Sequence, residues 1–172
     1  MDQGAGTAVT PEDDVEPTDA WAALEALYRA QQAPMVRLAH LLVGDRAVAE
    51  ELVQDAFVRV LPRLAGVDDA VAYLRTTVVN LCRGHGRRQM TGRRHDAGLA
   101  PLATAAPPDL PRDLDEVWIA LGTLPEKRRA ALVLRYYADL STDQVARTLQ
   151  VRPATARSLI RRGLASLKEA LT

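Results

Sequence analysis

With 172 residues, 48% of them apolar, 4% aromatic and a formal net charge of zero, the chain can bury a real core as one larger or two small domains. Abundant Ala, Leu, Val and Arg favour an all-α fold, and with no run of 18 apolar residues and no basic-then-apolar leader the chain is expected to be soluble and cytoplasmic, without a membrane partner. A single cysteine, Cys82, excludes an internal disulfide and any multi-cysteine zinc site.

Residues 1–20 hold six acids (Asp2, Glu12, Asp13, Asp14, Glu16, Asp19), no base, and Pro11 and Pro17, which together read as a disordered acidic tail. A first helix is expected from Thr18 or Asp19, with Trp21, Leu24, Leu27 and Tyr28 on one stripe. Pro34 should break it and restart a second, whose apolar face is Met35, Leu38, Ala39 and Leu42. Gly44 suits a C-terminal cap, and Asp45 an N-terminal one. The next helix, AVAEELVQDAFVRVL, places Val48, Leu52, Val53, Ala56, Phe57, Val60 and Leu64 on one side. Glu50, Glu51, Gln54, Asp55 and Arg59 face the other way, as a solvated face or a docking surface for a protein. Pro62 should bend or end this helix.

Asp69 begins a further helix to about Arg88, with Val71, Leu74, Val78 and Leu81 inward and Gly84 and Gly86 fraying its last turns. Tyr73, Arg75, Thr76, Asn80, Arg83, Arg87 and Arg88 supply its polar face. Residues 70–95 contain six arginines and no acid, the balance that neutralises phosphates, although a plain basic surface helix would look the same. Cys82 reads as a small hydrophobe beside Val78 in preference to a redox thiol. From Gln89 to Pro111 the Gly, Ala, Pro and Thr content and lost periodicity read as a flexible linker.

Beyond the linker, Leu114, Val117, Trp118, Leu121 and Leu124 make a short helix, and Pro125 opens another through Ala131, Leu132, Leu134 and Tyr137. Residues 125–172 carry ten bases against four acids. Within them, Ser141 and Gln144 can form a capping box, followed by Val145, Ala146 and Leu149 on one face. Gln150-Val151-Arg152 then makes a turn, and Pro153 opens a last helix. Its buried stripe is expected to be Ala156, Ile160, Leu164 and Leu167, and its polar face Thr155, Arg157, Ser158, Arg161 and Arg162. That pattern is a helix-turn-helix whose second helix is shaped for a major groove, or an amphipathic hairpin with a solvated basic face. Two basic blocks separated by an acidic connector point to two nucleic-acid surfaces. There is no P-loop, no GxGxxG after a strand and no GxSxG, and His40, His85 and His95 with Cys82 assemble no ligand set. The chain is therefore not expected to be an enzyme; no catalytic residue, metal or cofactor is assigned.

The stretches LYRAQQAPMVRLAHLLVGDRAVAEELVQDAFVRV, AYLRTTVVNLCRGHGRR and LPEKRRAALVLRYYADLSTDQVARTLQ, in this order, resemble a bacterial sigma factor. The likeness is to the extracytoplasmic-function (ECF) group of the sigma-70 family, which has only regions 2 and 4, and within it to the SigE-like group common in actinobacteria. It covers about residues 21–90 and 112–170. The resemblance implies two small helical domains, region 2 over 21–90 and region 4 over 112–172, joined by a linker over 91–111. It implies that Glu51, Leu52, Gln54, Asp55, Phe57 and Val58, with Val53 and Ala56 between them, dock on the β′ clamp helices of core RNA polymerase. Tyr73, Arg75, Thr76, Asn80, Arg83, Arg87 and Arg88 would open the −10 element and hold a flipped base. Arg152, Thr155, Arg157, Ser158, Arg161 and Arg162 would contact the −35 element, while region 4 also grips the β flap. The linker would thread the polymerase cleft, and an anti-sigma factor is a possible partner.

The sequence departs from the family pattern where Arg152 replaces a capping serine, where Leu159 replaces a basic residue near the DNA side, and where Leu61-Pro62 stands in place of a tryptophan. Two other readings stay open: a helix-turn-helix regulator acting without polymerase, and a sigma-like interaction protein inactive in initiation.

Overall fold

The structure, a computed structural model, describes residues 17–93 and 115–172, with side chains from 21 to 89 and from 116 onward. Residues 1–16 of the expected acidic tail and most of the expected linker lie outside these residues, whereas residues 17–20, expected to close that tail, open the first helix. Among the described residues every regular element is helical.

The helix α1 runs unbroken from Pro17 to Val43, with Pro34 inside it. The expected break is absent. A proline in a helix interior costs about 3 kcal/mol, and here packing offsets it, because Met35, Val36, Leu38, Ala39, Leu41 and Leu42, which follow it, are all buried. Before Pro34 the helix is only half engaged: Trp21 is exposed, and Tyr28 lies 4.9 Å from the Phe57 ring. Gly44 closes α1 with φ 79°, its N–H donating to the His40 carbonyl at 2.8 Å.

Asp45 then caps α2 (Arg46–Val60), its carboxylate accepting from the Val48 N–H at 2.9 Å. One side of α2 is fully buried through Ala49, Leu52, Val53, Ala56, Phe57 and Val60. At Pro62 the helix tightens to a 3-10 turn over Leu61–Gly66. Asp69 caps α3 (Ala70–Arg93), accepting from the Ala72 N–H at 2.8 Å. This helix continues past Gly84 and Gly86 instead of fraying, anchored by Leu74, Val78, Val79 and Cys82, which are buried. Burial pushes the Cys82 thiol up to about 12, so the residue packs as a small hydrophobe, as expected.

The second half comprises α4 (Asp115–Thr123), α5 (Glu126–Leu132), α6 (Thr142–Leu149) and α7 (Pro153–Ala170). The chain leaves α5 through a wide π turn, Val133–Tyr137, and then takes a corner at Asp139, whose φ is 49°. Arg135 fastens that corner by donating to the Leu140 carbonyl at 3.0 Å. The last helix approaches α5 very closely at Gly163, where a Cβ would stand 2.9 Å from Leu132 Cγ. Gly163 is buried where the sequence pattern places Leu164, and Leu164 is 42% exposed.

Buried side chains of both halves form one continuous cluster. Across their junction the Arg37 Nε donates to the Tyr137 hydroxyl at 3.2 Å, and the rings of His40 and Trp118 meet edge-on at 5.2 Å. The His40 Nε2 is buried with no hydrogen-bond partner. Burial lowers its pKa from 6.5, Arg46 adds to the fall, and Asp45 opposes it. The neutral ring is therefore the form that the fold accepts. Above pH 6.5 the ring is mostly neutral in the folded and the unfolded chain alike. Below that value the unfolded chain takes up a proton that the folded chain refuses, so stability falls with pH. Thermal melts should show wild type losing more stability than His40→Leu between about pH 7.5 and pH 5.5.

Candidate nucleic-acid interface

The helix-turn-helix is built from local capping. The Gln144 N–H donates to Ser141 Oγ at 3.2 Å, and the Ser141 N–H donates to Gln144 Oε1 at 2.7 Å, a complete capping box. At the far end Gln150 adopts φ 55°, ψ 46°, which lets the Val151 N–H reach the Ala146 carbonyl at 2.9 Å. Arg152 then precedes α7 without any side-chain cap, and Pro153 occupies its first turn.

Buried Val145, Ala146, Thr148 and Leu149 of α6 and Ala156, Ile160 and Gly163 of α7 fix the angle between the two helices. The opposite face of α7 presents Arg152, Thr155, Arg157, Arg161 and Arg162 to solvent, with Ser158 half-buried between them. No acid stands in its first turn. Positive backbone N–H ends and arginine forks thus coincide, the combination that recognises phosphates and guanine edges. Leu159 is not on that face. It packs, half-buried, against the core.

The second basic surface lies on α3. Tyr73, Thr76, Asn80, Arg83 and Arg87 follow one another at helical spacing, with Arg75 and Arg88 to either side. Tyr73, Arg75, Thr76 and Asn80 are half-buried, and Arg87 and Arg88 are exposed. The Tyr73 hydroxyl accepts from Arg63 Nη1 at 3.0 Å. Arg83 differs from its neighbours. Its side chain is 14% exposed, its Nη1 donates to the Leu149 carbonyl at 3.2 Å, and its Nε stands 3.4 Å from Glu126 Oε1. Glu126 also faces Arg129, whose pKa is lowered by burial and held up by that carboxylate.

A third surface lies on α2. Glu51, Gln54 and Val58 are exposed and Asp55 half-buried on one face, with Asp55 paired to Arg59 at 2.9 Å. Leu52 and Phe57 are in the core, so only four of the six residues assigned to docking are presented outward. The sequence pattern does not single out Arg37, Arg63 or Glu126. A lone acid opening the basic segment after Pro125 is the one available hint of the last.

Two family models match the chain, one described as Sigma-70 region 2 over residues 27–91 and one as Sigma-70, region 4 over residues 114–167. The RNA polymerase sigma-E factor of Streptomyces avermitilis is 30% identical over 150 residues, covering 86% of this chain and 84% of that one. This chain belongs to the ECF group of the sigma-70 family. A probable ECF RNA polymerase sigma factor SigI of Mycobacterium tuberculosis is 33% identical over 159 residues, and the chain spans only 54% of its length. In fold, the chain superimposes with a TM-score of 0.72 on the sigma factor RpoE of Bartonella quintana, solved in complex with the anti-sigma factor NepR. That likeness covers 86% of this chain and 95% of that one at 20% identity.

In the family's terms α1 to α3 are region 2, and α4 to α7 are region 4. The helix-turn-helix of region 4 carries its one conformational penalty at Gln150, in the left-handed region that favours glycine. Gln150→Gly relieves that strain but adds unfolded-chain entropy, for a net gain of about 0.5–1 kcal/mol. Chemical denaturation should report the gain as a higher midpoint with an unchanged slope.

Proposed function

We propose that the chain is an initiation factor that binds core RNA polymerase and carries it to promoters by contacting a −10 and a −35 element. The observation that carries this reading is the α7 face, where four exposed arginines and Thr155 stand on a capped helix-turn-helix. Residues 21–90 are read as the polymerase and −10 module, 91–111 as the linker and 112–172 as the −35 module. Glu51, Gln54, Asp55 and Val58 are the residues proposed to meet the β′ clamp helices, and region 4 the β flap.

Base readout is assigned to Arg157 and Ser158 in the first turns of α7, and phosphate contact to Arg161 and Arg162 one turn later. On region 2, Asn80 and Arg83 are assigned to an extruded base, with Arg75, Arg87 and Arg88 on phosphates. Opening duplex DNA costs about 1–2 kcal/mol for each unstacked step, and capture of a base in a pocket returns part of that. Two modules on one chain raise each other's effective concentration once the first has docked. The RpoE structure, which includes an anti-sigma factor, supports a similar partner for this chain. A regulator acting without polymerase would leave the α2 face without a role.

Run-off transcription with core polymerase tests the reading: promoter-specific transcripts are expected, and their absence with binding to duplex DNA intact would favour the regulator. Asp55→Arg should reduce co-purification with core at unchanged helical content. Arg157→Ala should cost about 1–3 kcal/mol and flatten the preference at one −35 base. Arg162→Ala should weaken binding to all sequences and lower the salt slope by about one unit. A −35 mutation scan at several salt concentrations separates the two arginines.

A further inference from the structure

We propose that Arg63 and Tyr73 together clamp one backbone phosphate of promoter DNA, at the end of the basic face where α3 begins. The inference deepens the proposed function and rests on its reading of α3 as the −10 surface. Arg63 belongs to the 3-10 turn Leu61–Gly66 and is exposed, whereas Tyr73 stands on α3 and is half-buried. Two elements of region 2 thus converge on one point.

The pair is set in place within the protein. Pro62 stands in the first turn of Leu61–Gly66, and Leu64 is buried, so the backbone that carries Arg63 is pinned on both sides. The Tyr73 ring packs against the core, and the Tyr73 carbonyl accepts from Thr77 Oγ1 at 2.9 Å. Arg63 Nη1 donates to the Tyr73 hydroxyl at 3.0 Å, and that bond raises the Arg63 pKa. A guanidinium oriented in advance loses less freedom when a ligand docks.

The count of donors defines the ligand. A guanidinium carries five N–H groups and accepts nothing, and one of the five reaches Tyr73. The phenol oxygen serves here as the acceptor, so its single proton points away from Arg63. Both groups therefore offer protons side by side, which suits a partner that is negative and only accepts. A phosphodiester is such a partner, and a base edge that mixes donors with acceptors fits less well. Among the described residues no carboxylate pairs with Arg63.

Charge along α3 gives the pair its purpose. Arg87 and Arg88 lie about 21 Å beyond Tyr73, at about 1.5 Å per residue. At the near end Asp68 and Asp69 are exposed, and a strand following the face meets their charge there. Arg63, with the half-buried Arg75, carries the basic face past these two acids.

The test measures binding of holoenzyme to a promoter fragment at several salt concentrations. Arg63→Ala should weaken the complex about three- to ten-fold and lower the salt slope by about one unit. Arg63→Lys, which keeps the charge without the fork, should restore the slope and part of the affinity. Tyr73→Phe keeps the ring and should weaken binding at an unchanged slope. The double variant should lose less than the product of the two single losses, because the pair acts as a unit. Arg29→Ala, an exposed arginine on α1, should change neither quantity.

Wild-type affinity and slope in Arg63→Ala would overturn the clamp and leave the initiation reading standing. Weaker binding at an unchanged slope, with a lower denaturation midpoint, would make Arg63 a prop for Tyr73 and also overturn it. If wild-type holoenzyme forms no promoter complex, the initiation reading fails, and the free chain decides the clamp. There the ring carbon resonances of Tyr73, assigned with Tyr73→Phe, are followed against a thymidine hexanucleotide. A shift in wild type that is absent in Arg63→Ala, and absent with an uncharged methylphosphonate hexanucleotide, supports the clamp. No shift, or an equal shift with inorganic phosphate alone, overturns its assignment to DNA.

Discussion

The arrangement of the molecule depends on the core that its two halves share. Within region 2 the packing is aliphatic, through Leu38, Ala39, Val53, Leu74 and Val78, and within region 4 through Ala130, Leu134, Val145 and Ala156. The junction adds polar contacts to the apolar cluster that the halves share. It joins Arg83 to Glu126, Arg37 to Tyr137 and the His40 imidazole to Trp118. Desolvating an ion pair consumes most of what its attraction returns, so such pairs specify an arrangement more than they stabilise it. The polar contacts orient the halves about that shared core.

The parts of this design that can be read from the sequence are the local ones. Ser141 with Gln144, Asp45 before α2 and Asp69 before α3 act within four residues of themselves, so their hydrogen bonds follow from spacing alone. Pro34, Gly84 and Gly86 mislead because their local preferences are real but are outweighed by buried neighbours on the same helices. On α7 the apolar stripe passes through Gly163, a residue without a side chain, so the pattern settles on Leu164 one position away. The family likeness assigns Leu159 a place near DNA and Leu52 and Phe57 a place in docking, whereas helical phase directs all three toward the core. Arg83 is legible as a basic group on the polar face of α3. Its two partners are not, since they lie far along the chain in region 4 and no periodicity links them.

The helix-turn-helix illustrates a second balance, between local cost and tertiary position. Gln150 holds a left-handed conformation without glycine's freedom, and Arg152 leaves the start of α7 uncapped. Both features weaken the turn, and both place polar, exposed side chains at the edge of the proposed DNA face. The turn survives because the Val151 N–H is anchored on the Ala146 carbonyl and because Leu149 and Ala156 are buried.

Leu149 joins these two balances. Its side chain belongs to the core of the helix-turn-helix, and its carbonyl accepts from Arg83 of region 2. A carbonyl at the end of α6 has no intrahelical N–H to accept from, so in a separated region 4 it must turn to water. The guanidinium that takes that place in the closed form is desolvated in return, and Glu126 offsets part of that loss from the other side. Cys82, on the same helix as Arg83, adds no charge there, because its thiol is buried and its pKa is pushed up to about 12.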